Sequence, residues 1–433
     1  MKVVLAILLN VGLLVLLLPW LRRQWCTAPA WARLALALSL GLRLTRGILS
    51  GQVLVHDARY MSEYGRLLTA QLWAAPEEAV RTFMGNELHY AGQELIFHGM
   101  SNTFFFVKIL AFLNLASLNT DWLNAVYLSV FGFVGCWQLV RTLAQVLPQT
   151  PAAAGVIAFA LWPSVIFWSS GVTKESVVVG SGAWLLAVFV RLFFGDAVRS
   201  RAQRWSAVLV LLLLAMLHFK MRYFFAVPLL GALAALAMAR PLQQLGMFCS
   251  RWAQIVLMAL VLSSGAWVAT EVSVAFRLNK FMNQVMRNYS QNLTSSAGRP
   301  HFEYPDLQPT ATSLVRHLPL AATNALVRPW LGESTAPQYV MAGLENALLL
   351  VLLMGALAAA GRGKSGQFPF ELGLVLVVHC LVLAVLLGLT TPNLGSLNRY
   401  RSGLLPYLLL LLLQNDYAAA VLRRLGLERG SWR

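Results

Sequence analysis

Long apolar runs separated by short polar ones set the pattern of this chain. They lie near residues 3–20, 34–50, 122–140, 152–168, 176–195, 205–219, 222–239, 253–272, 340–360, 369–391 and 403–421. Most approach the ~20 residues that a helix needs to cross a bilayer. Helix is also the form in which a lone run satisfies its own backbone in lipid. A further run, Asn102 to Leu118, opens with Phe104, Phe105 and Phe106. Between the runs sit basic stretches: Arg22, Arg23 and Arg33; Arg199, Arg201 and Arg204; Arg240 and Arg251; Arg362 and Lys364; and Arg423, Arg424, Arg429 and Arg433. All of them fall on one side if Asn102–Leu118 lies in the membrane interface instead of crossing, and the positive-inside rule makes that side cytoplasmic. The pattern therefore predicts an all-α polytopic membrane protein with about eleven transmembrane helices and its N-terminus outside. It leaves two long polar stretches facing outward, 51–121 and 273–339. In the first, Tyr60, Tyr64, Leu67 and Leu68 recur at helical spacing, which predicts an amphipathic helix lying on the membrane surface.

Composition agrees with this. Of the 433 residues, 58% are hydrophobic and 12% charged, against roughly 25% charged in soluble domains. The first run is too long for the core of a cleavable leader and lacks a clear small-residue cleavage site, so it is kept as a helix. The net charge of +17 is dispersed in short loops beside helices, which suits anionic membrane lipids and not nucleic acid. Cys26, Cys136, Cys249 and Cys380 have neither metal-ligand spacing nor the look of a disulfide framework.

Candidate chemistry gathers in the first outward stretch. The chain has 17 acidic residues, and Asp57, Glu63, Glu77, Glu78, Glu87 and Glu94 all fall within 51–101. Asp57, near the start of the amphipathic helix, suits a general base acting on an acceptor hydroxyl; capping the helix is the alternative role. Arg43 and Arg46 share a helix face inside the second run, where arginine is costly and lines a polar cavity or snorkels outward. A lipid phosphate is the natural partner of such a pair. Lys174 and Glu175 follow Phe167 and Trp168 at an outer turn, His218, Lys220 and Arg222 share the next, and Arg399 and Arg401 flank Tyr400 near the last run. Positive charge on the side that the topology rule disfavours points to an anionic ligand there. The histidines, His89, His98, His301 and His317 among them, show no metal-binding spacing; a divalent metal bridging Asp57 and another carboxylate stays open.

His56-Asp57-Ala58-Arg59-Tyr60 resembles the Asp-Glu-x-x-Tyr-type motif that opens the first outer loop of the GT-C superfamily of glycosyltransferases. Asn102 to Leu143 is similar to the interface helix and following membrane helix of those enzymes. The stretches Pro163–Glu175, Val327-Arg328-Pro329-Trp330 with Glu345 after it, and Arg399-Tyr400-Arg401 through Pro406 resemble bacterial members found with surface-polysaccharide genes. The chain departs from the motif at Ala58, where many members carry a second acidic residue, and this leaves metal use open.

The resemblance implies a GT-C-like fold in the inner or plasma membrane. The implied activity is inverting transfer of a sugar from a polyprenyl-phosphate donor to a glycan, lipid or protein acceptor outside. Asp57 takes the catalytic position, and Lys174, Arg222 and Arg399 contact the lipid phosphate. The full expected substrate-binding set is Arg43, Arg46, Arg59, Tyr60, Lys174, Glu175, Lys220, Arg222, Arg328, Arg399 and Arg401, with 273–339 shaping the acceptor side. Two rivals stand beside it: a surface-polysaccharide polymerase or ligase using lipid pyrophosphate donors, and a lipid-linked sugar flippase. A flippase is expected to show internal repeats and mid-bilayer charges, and no repeat is visible.

Overall fold

The computed structural model describes residues 1–97, 99, 101–195, 200–272, 277–428 and 432. Arg199, Arg429 and Arg433 of the basic loops, the first residues of the 273–339 stretch, His98 and the side chain of His56 lie outside the described residues. In chain order the elements open with α1 (Lys2–Thr27), α2 (Ala30–Gln52), α3 (His56–Ala74) and α4 (Pro76–Met84). The hairpin β1 (Glu87–Tyr90) and β2 (Gln93–Ile96) precedes α5 (Asn102–Ser117) and α6 (Asp121–Val146). Then come α7 (Ala152–Gly155), a π-helical turn (Val156–Leu161), α8 (Pro163–Trp168), α9 (Lys174–Phe194), α10 (Arg201–Met221), α11 (Tyr223–Gln244) and α12 (Arg251–Val272). The remainder is α13 (Leu278–Thr294), α14 (Ala311–Val327), α15 (Pro337–Gly361), α16 (Phe370–Thr390), α17 (Leu394–Arg401), α18 (Leu405–Leu412) and α19 (Asp416–Arg424).

Among the described residues nine helices are long and apolar enough to cross a membrane: α1, α2, α6, α9, α10, α11, α12, α15 and α16. The protein is thus all-α and multi-pass. The other two expected segments are not single helices. The run 152–168 breaks at Trp162, which is extended (φ −65°, ψ 125°) before Pro163, as the residue before a proline tends to be. The run 403–421 divides into α18 and α19, which meet at 88°. Asn415 caps α19 with its side chain, accepting from Ala418 N at 3.0 Å, and α19 turns an amphipathic face along the end of the bundle.

α5 is shorter than a span at 16 residues, but it does not rest on the surface by its phenylalanines. Phe104 and Phe106 are buried against protein and only Phe105 is partly exposed, because α5 packs between α3 and α6. The hairpin was not expected either. Its register pairs Glu87 with Ile96 and Tyr90 with Gln93, and both turn residues, Ala91 and Gly92, have positive φ (53° and 74°), the twist that two-residue hairpins favour.

α6 and α9 form the closest pair in the centre. A Cβ on Gly180 would lie 2.8 Å from Gly132 Cα, and one on Gly135 would strike the Gly180 carbonyl. Small residues let the two backbones touch, the usual source of helix affinity in lipid. α1, α10 and α12 are apolar nearly all round and little buried within the protein, as lipid-facing helices are.

The bundle has two chemically different ends. At one, Glu428 accepts from Ala152 N and Ala153 N, Arg141 donates to Gln24, Asp416 N donates to Lys364 O, and Arg240 stacks on Phe194. The basic loops collect there. At the other end Arg222 meets Glu175, Arg399 meets Asp57, and Arg401 meets the Arg328 carbonyl.

Candidate functional site

α2 runs out through Val53, Leu54 and Val55 into α3. The N-cap of α3 is Val55, and no side chain caps this helix. Asp57 is therefore not the cap. It sits in the first turn, where a carboxylate is favoured by the helix dipole, and its Oδ2 accepts from Arg399 Nη1 at 3.3 Å. Opposite, the chain reaches α9 through Gly171, whose φ of +95° is the left-handed region that glycine occupies most readily; a Cβ there would also strike Ser50. Thr173 caps α9 by accepting from Ser176 N at 3.3 Å, and this fixes Lys174 and Glu175 in the first turn.

These pieces enclose a cavity of about 810 Å³. Four cations line it (Arg46, Lys174, Arg222 and Arg399) against two carboxylates, Asp57 and Glu175. One wall is apolar: Leu49, Val53, Val55, Phe167, Trp168 and Val172, of which Leu49, Val53, Val55 and Phe167 are also exposed. An excess of positive charge beside an open apolar wall suits an amphipathic anion.

The cations are held in different ways. Glu175 is only 5% exposed and takes two arginines, accepting from Arg222 Nη2 at 2.5 Å with Arg399 Nε 3.7 Å away. Arg399 also donates to the Tyr400 hydroxyl at 3.0 Å, and Arg222 lies 4.2 Å from the Tyr400 ring. Burial alone would lower the Arg399 pKa, but Glu175, Tyr400 and Asp57 outweigh it, so its guanidinium is held above its ordinary value. Lys174 Nζ donates to Asn102 Oδ1 at 2.8 Å and Thr103 Oγ1 at 2.7 Å. Arg46 stacks on Phe167 at 4.2 Å, and its buried Nε has no hydrogen-bond partner among the described residues.

The cavity gathers seven of the twelve expected residues: Asp57, Arg46, Tyr60, Lys174, Glu175, Arg222 and Arg399. Five stand apart from it. Arg43 is fully buried and donates to Ser169 Oγ at 2.7 Å and Phe159 O at 3.0 Å; it ties the broken 152–168 segment to α2 and has no face toward a ligand. Arg401 is likewise buried, donating to Arg328 O at 2.7 Å and Asn346 Oδ1 at 2.6 Å. Burial pushes its pKa down to about 10, with Glu345 opposing. Arg328 pairs with Glu333 at 3.3 Å. Arg59 and Lys220 are exposed outside the cavity. The His218, Lys220 and Arg222 group also separates, since His218 turns into the bundle, 3.0 Å from Ser181 Oγ.

The expected site set left out Asn102 and Thr103, and also Tyr400, named only as part of the Arg399-Tyr400-Arg401 motif; these orient Lys174, Arg222 and Arg399. For Asn102 and Thr103 the only signal was their polarity at the head of an apolar run. Among the described residues none of 273–339 lines the cavity. Among the described residues no three of His, Cys, Asp and Glu gather as a metal-holding group; both cavity carboxylates face Arg399. Comparison with protein-family models, with curated proteins and with solved structures finds no match to the chain.

Proposed function

We propose that the protein transfers a sugar from a polyprenyl-phosphate donor to an acceptor on the extracytoplasmic face of the inner or plasma membrane. The observation that carries this reading is one cavity that joins four cations, an exposed carboxylate and an open apolar wall. An isoprenoid tail lies against Val53, Val55 and Phe167, where apolar surface is otherwise left to lipid or water. The phosphate sits among Arg46, Lys174, Arg222 and Arg399.

In the transfer step Asp57 takes the proton of an acceptor hydroxyl. The acceptor oxygen forms its bond to the anomeric carbon from the face opposite the phosphate, and the bond from that carbon to the phosphate oxygen breaks. The electron pair leaves with the phosphate, whose growing charge the fixed cations stabilise. The anomeric configuration inverts, and the acceptor is a glycan, a lipid or a protein.

The orientation rests on the basic end of the bundle being cytoplasmic under the positive-inside rule. Counting 152–168 and 403–421 each as one broken crossing gives eleven, which agrees with a cavity that faces outward. A second reading, polymerisation or ligation from a lipid pyrophosphate, draws on one observation: Asp57 is itself paired with Arg399, so the cations outweigh the carboxylates.

Farnesyl phosphate binding to the protein in nanodiscs tests the reading. Wild type is expected to bind farnesyl phosphate and to reject farnesol. Arg46→Gln is expected to bind it about tenfold more weakly, the scale of one charge-assisted hydrogen bond. Equal binding of farnesol, or no effect of Arg46→Gln, contradicts it.

A further inference from the structure

A second cavity of about 320 Å³ lies behind the first and shares Arg222 and Tyr400 with it as a common wall. Its chemistry is different. Among the described residues Arg222 is the one charged residue lining it, and that guanidinium is already committed to Glu175. Its uncharged polar lining includes the amides Gln284, Asn288 and Asn292 from α13 with Asn102 from α5, set against an apolar side that includes Val285, Leu383, Leu386 and Leu387. The three on α13 are four residues apart, so they form one stripe along the helix, and each is half-buried facing the cavity. Phe224 and Phe281 form an aromatic side, their rings 6.5 Å apart, and Thr390 lies on the rim.

The stripe uses only part of its hydrogen-bonding capacity internally. Gln284 Nε2 donates to Asn288 Oδ1 at 2.8 Å, and Asn292 Nδ2 donates to the Asn288 and Thr390 carbonyls, each at 2.9 Å. Gln284 Oε1, Asn288 Nδ2 and Asn292 Oδ1 are left for a ligand, two acceptors and one donor. Side-chain amides supply both kinds of partner in one plane, which is what vicinal hydroxyls require. Aromatic faces suit the C–H side of a sugar ring, and the volume falls at the lower end of the ~300–1,000 Å³ of small-ligand pockets.

We infer that this second cavity is a saccharide subsite for a neutral, hydroxyl-rich ring, read by the amide stripe Gln284–Asn288–Asn292. It rests on the proposed transfer only for the source of its ligand: behind Arg222 and Tyr400, it holds a non-reacting sugar unit of a substrate whose reacting end lies in the first cavity. An anionic ligand has no comparable set of partners here, since the Arg222 guanidinium is taken by Glu175, and a purely apolar one would leave the amide stripe unpaired.

The test is saturation-transfer NMR of the protein in nanodiscs, with methyl α-mannoside, methyl β-galactoside and N-acetylglucosamine as probes. At least one probe is expected to receive saturation from wild type. Gln284→Ala and Asn288→Ala are each expected to weaken it about fivefold, the scale of one neutral hydrogen bond. Asn283→Ala, on the exposed side of α13, is expected to leave it unchanged. Transfer to none of the three, or transfer that both variants keep, overturns the inference. If the variants fail to fold, a diazirine-bearing hexose on wild type decides: label on the 278–294 peptide supports the subsite, and label only elsewhere overturns it. Farnesyl phosphate binding, run on the same samples, separates the two proposals, because it reads the first cavity and not this stripe.

Discussion

Asp57 and Glu175 both face Arg399, yet their surroundings assign them different work. The Asp57 side chain is 68% exposed, so its pairing with Arg399 contributes at most ~1 kcal/mol and leaves it free to meet an acceptor. Glu175 is sealed beneath two arginines, and removing its charge strands both. Glu175→Gln is therefore expected to lower stability by about 3 kcal/mol, while Asp57→Asn leaves thermal unfolding in detergent almost unchanged and abolishes transfer. Equal destabilisation by the two would contradict this division. Arg43 and Arg46 make a similar contrast. Three residues apart, they read from sequence as a pair aimed at one ligand, but Arg43 sits one turn deeper and finds Phe159 and Ser169. Those partners come more than a hundred residues later in the chain, beyond anything local spacing can show. Arg43→Gln is expected to cost about 2 kcal/mol of stability through the stranded Phe159 carbonyl and Ser169 hydroxyl, with farnesyl phosphate affinity unchanged when measured on the folded fraction.

At the scale of elements, the depth of Lys174 and Glu175 is set by the contact of α6 with α9. Gly132, Gly135 and Gly180 bring those backbones together, and any side chain on Gly180 forces them apart. Gly180→Leu is expected to destabilise the bundle by about 2 kcal/mol or more, as overpacking does, and to weaken lipid-phosphate binding because α9 carries two of the cavity's charges. Thermal unfolding with parallel farnesyl phosphate titration checks both, and unchanged binding in a destabilised variant would detach the cavity from this contact. Apolar length read most of these helices correctly from sequence, because nine of the eleven runs form unbroken helices. It could not read the break at Trp162, although Pro163 marked the place, nor the burial of Phe104 and Phe106, which depends on α3 folding back over α5. The amide stripe on α13 was visible as a four-residue repeat. Amides at helical spacing do not by themselves say that a cavity lies beside them; Leu383, Thr390 and Tyr400, which close it, come about a hundred residues later.

For the whole molecule, the separation of a basic end from a cavity end makes the sidedness measurable. A cysteine at position 64 or 78, in a background lacking the native four, is expected to react with an impermeant maleimide in intact cells. One at position 363, in the basic loop between α15 and α16, is expected to react only after lysis. The reverse pattern would turn the cavity toward the cytoplasm and remove the extracytoplasmic reading.

The central claim is that the first cavity holds a lipid-linked sugar phosphate that Asp57 helps to consume. Mass spectrometry of lipids retained by the purified protein tests it directly, comparing wild type with Asp57→Asn and Arg399→Gln. Asp57→Asn is expected to retain an isoprenoid phosphate bearing a sugar in excess of wild type, because the donor binds and is not turned over; Arg399→Gln is expected to lose it. Absence of any isoprenoid phosphate from the Asp57→Asn protein, or its equal retention by Arg399→Gln, would contradict the claim.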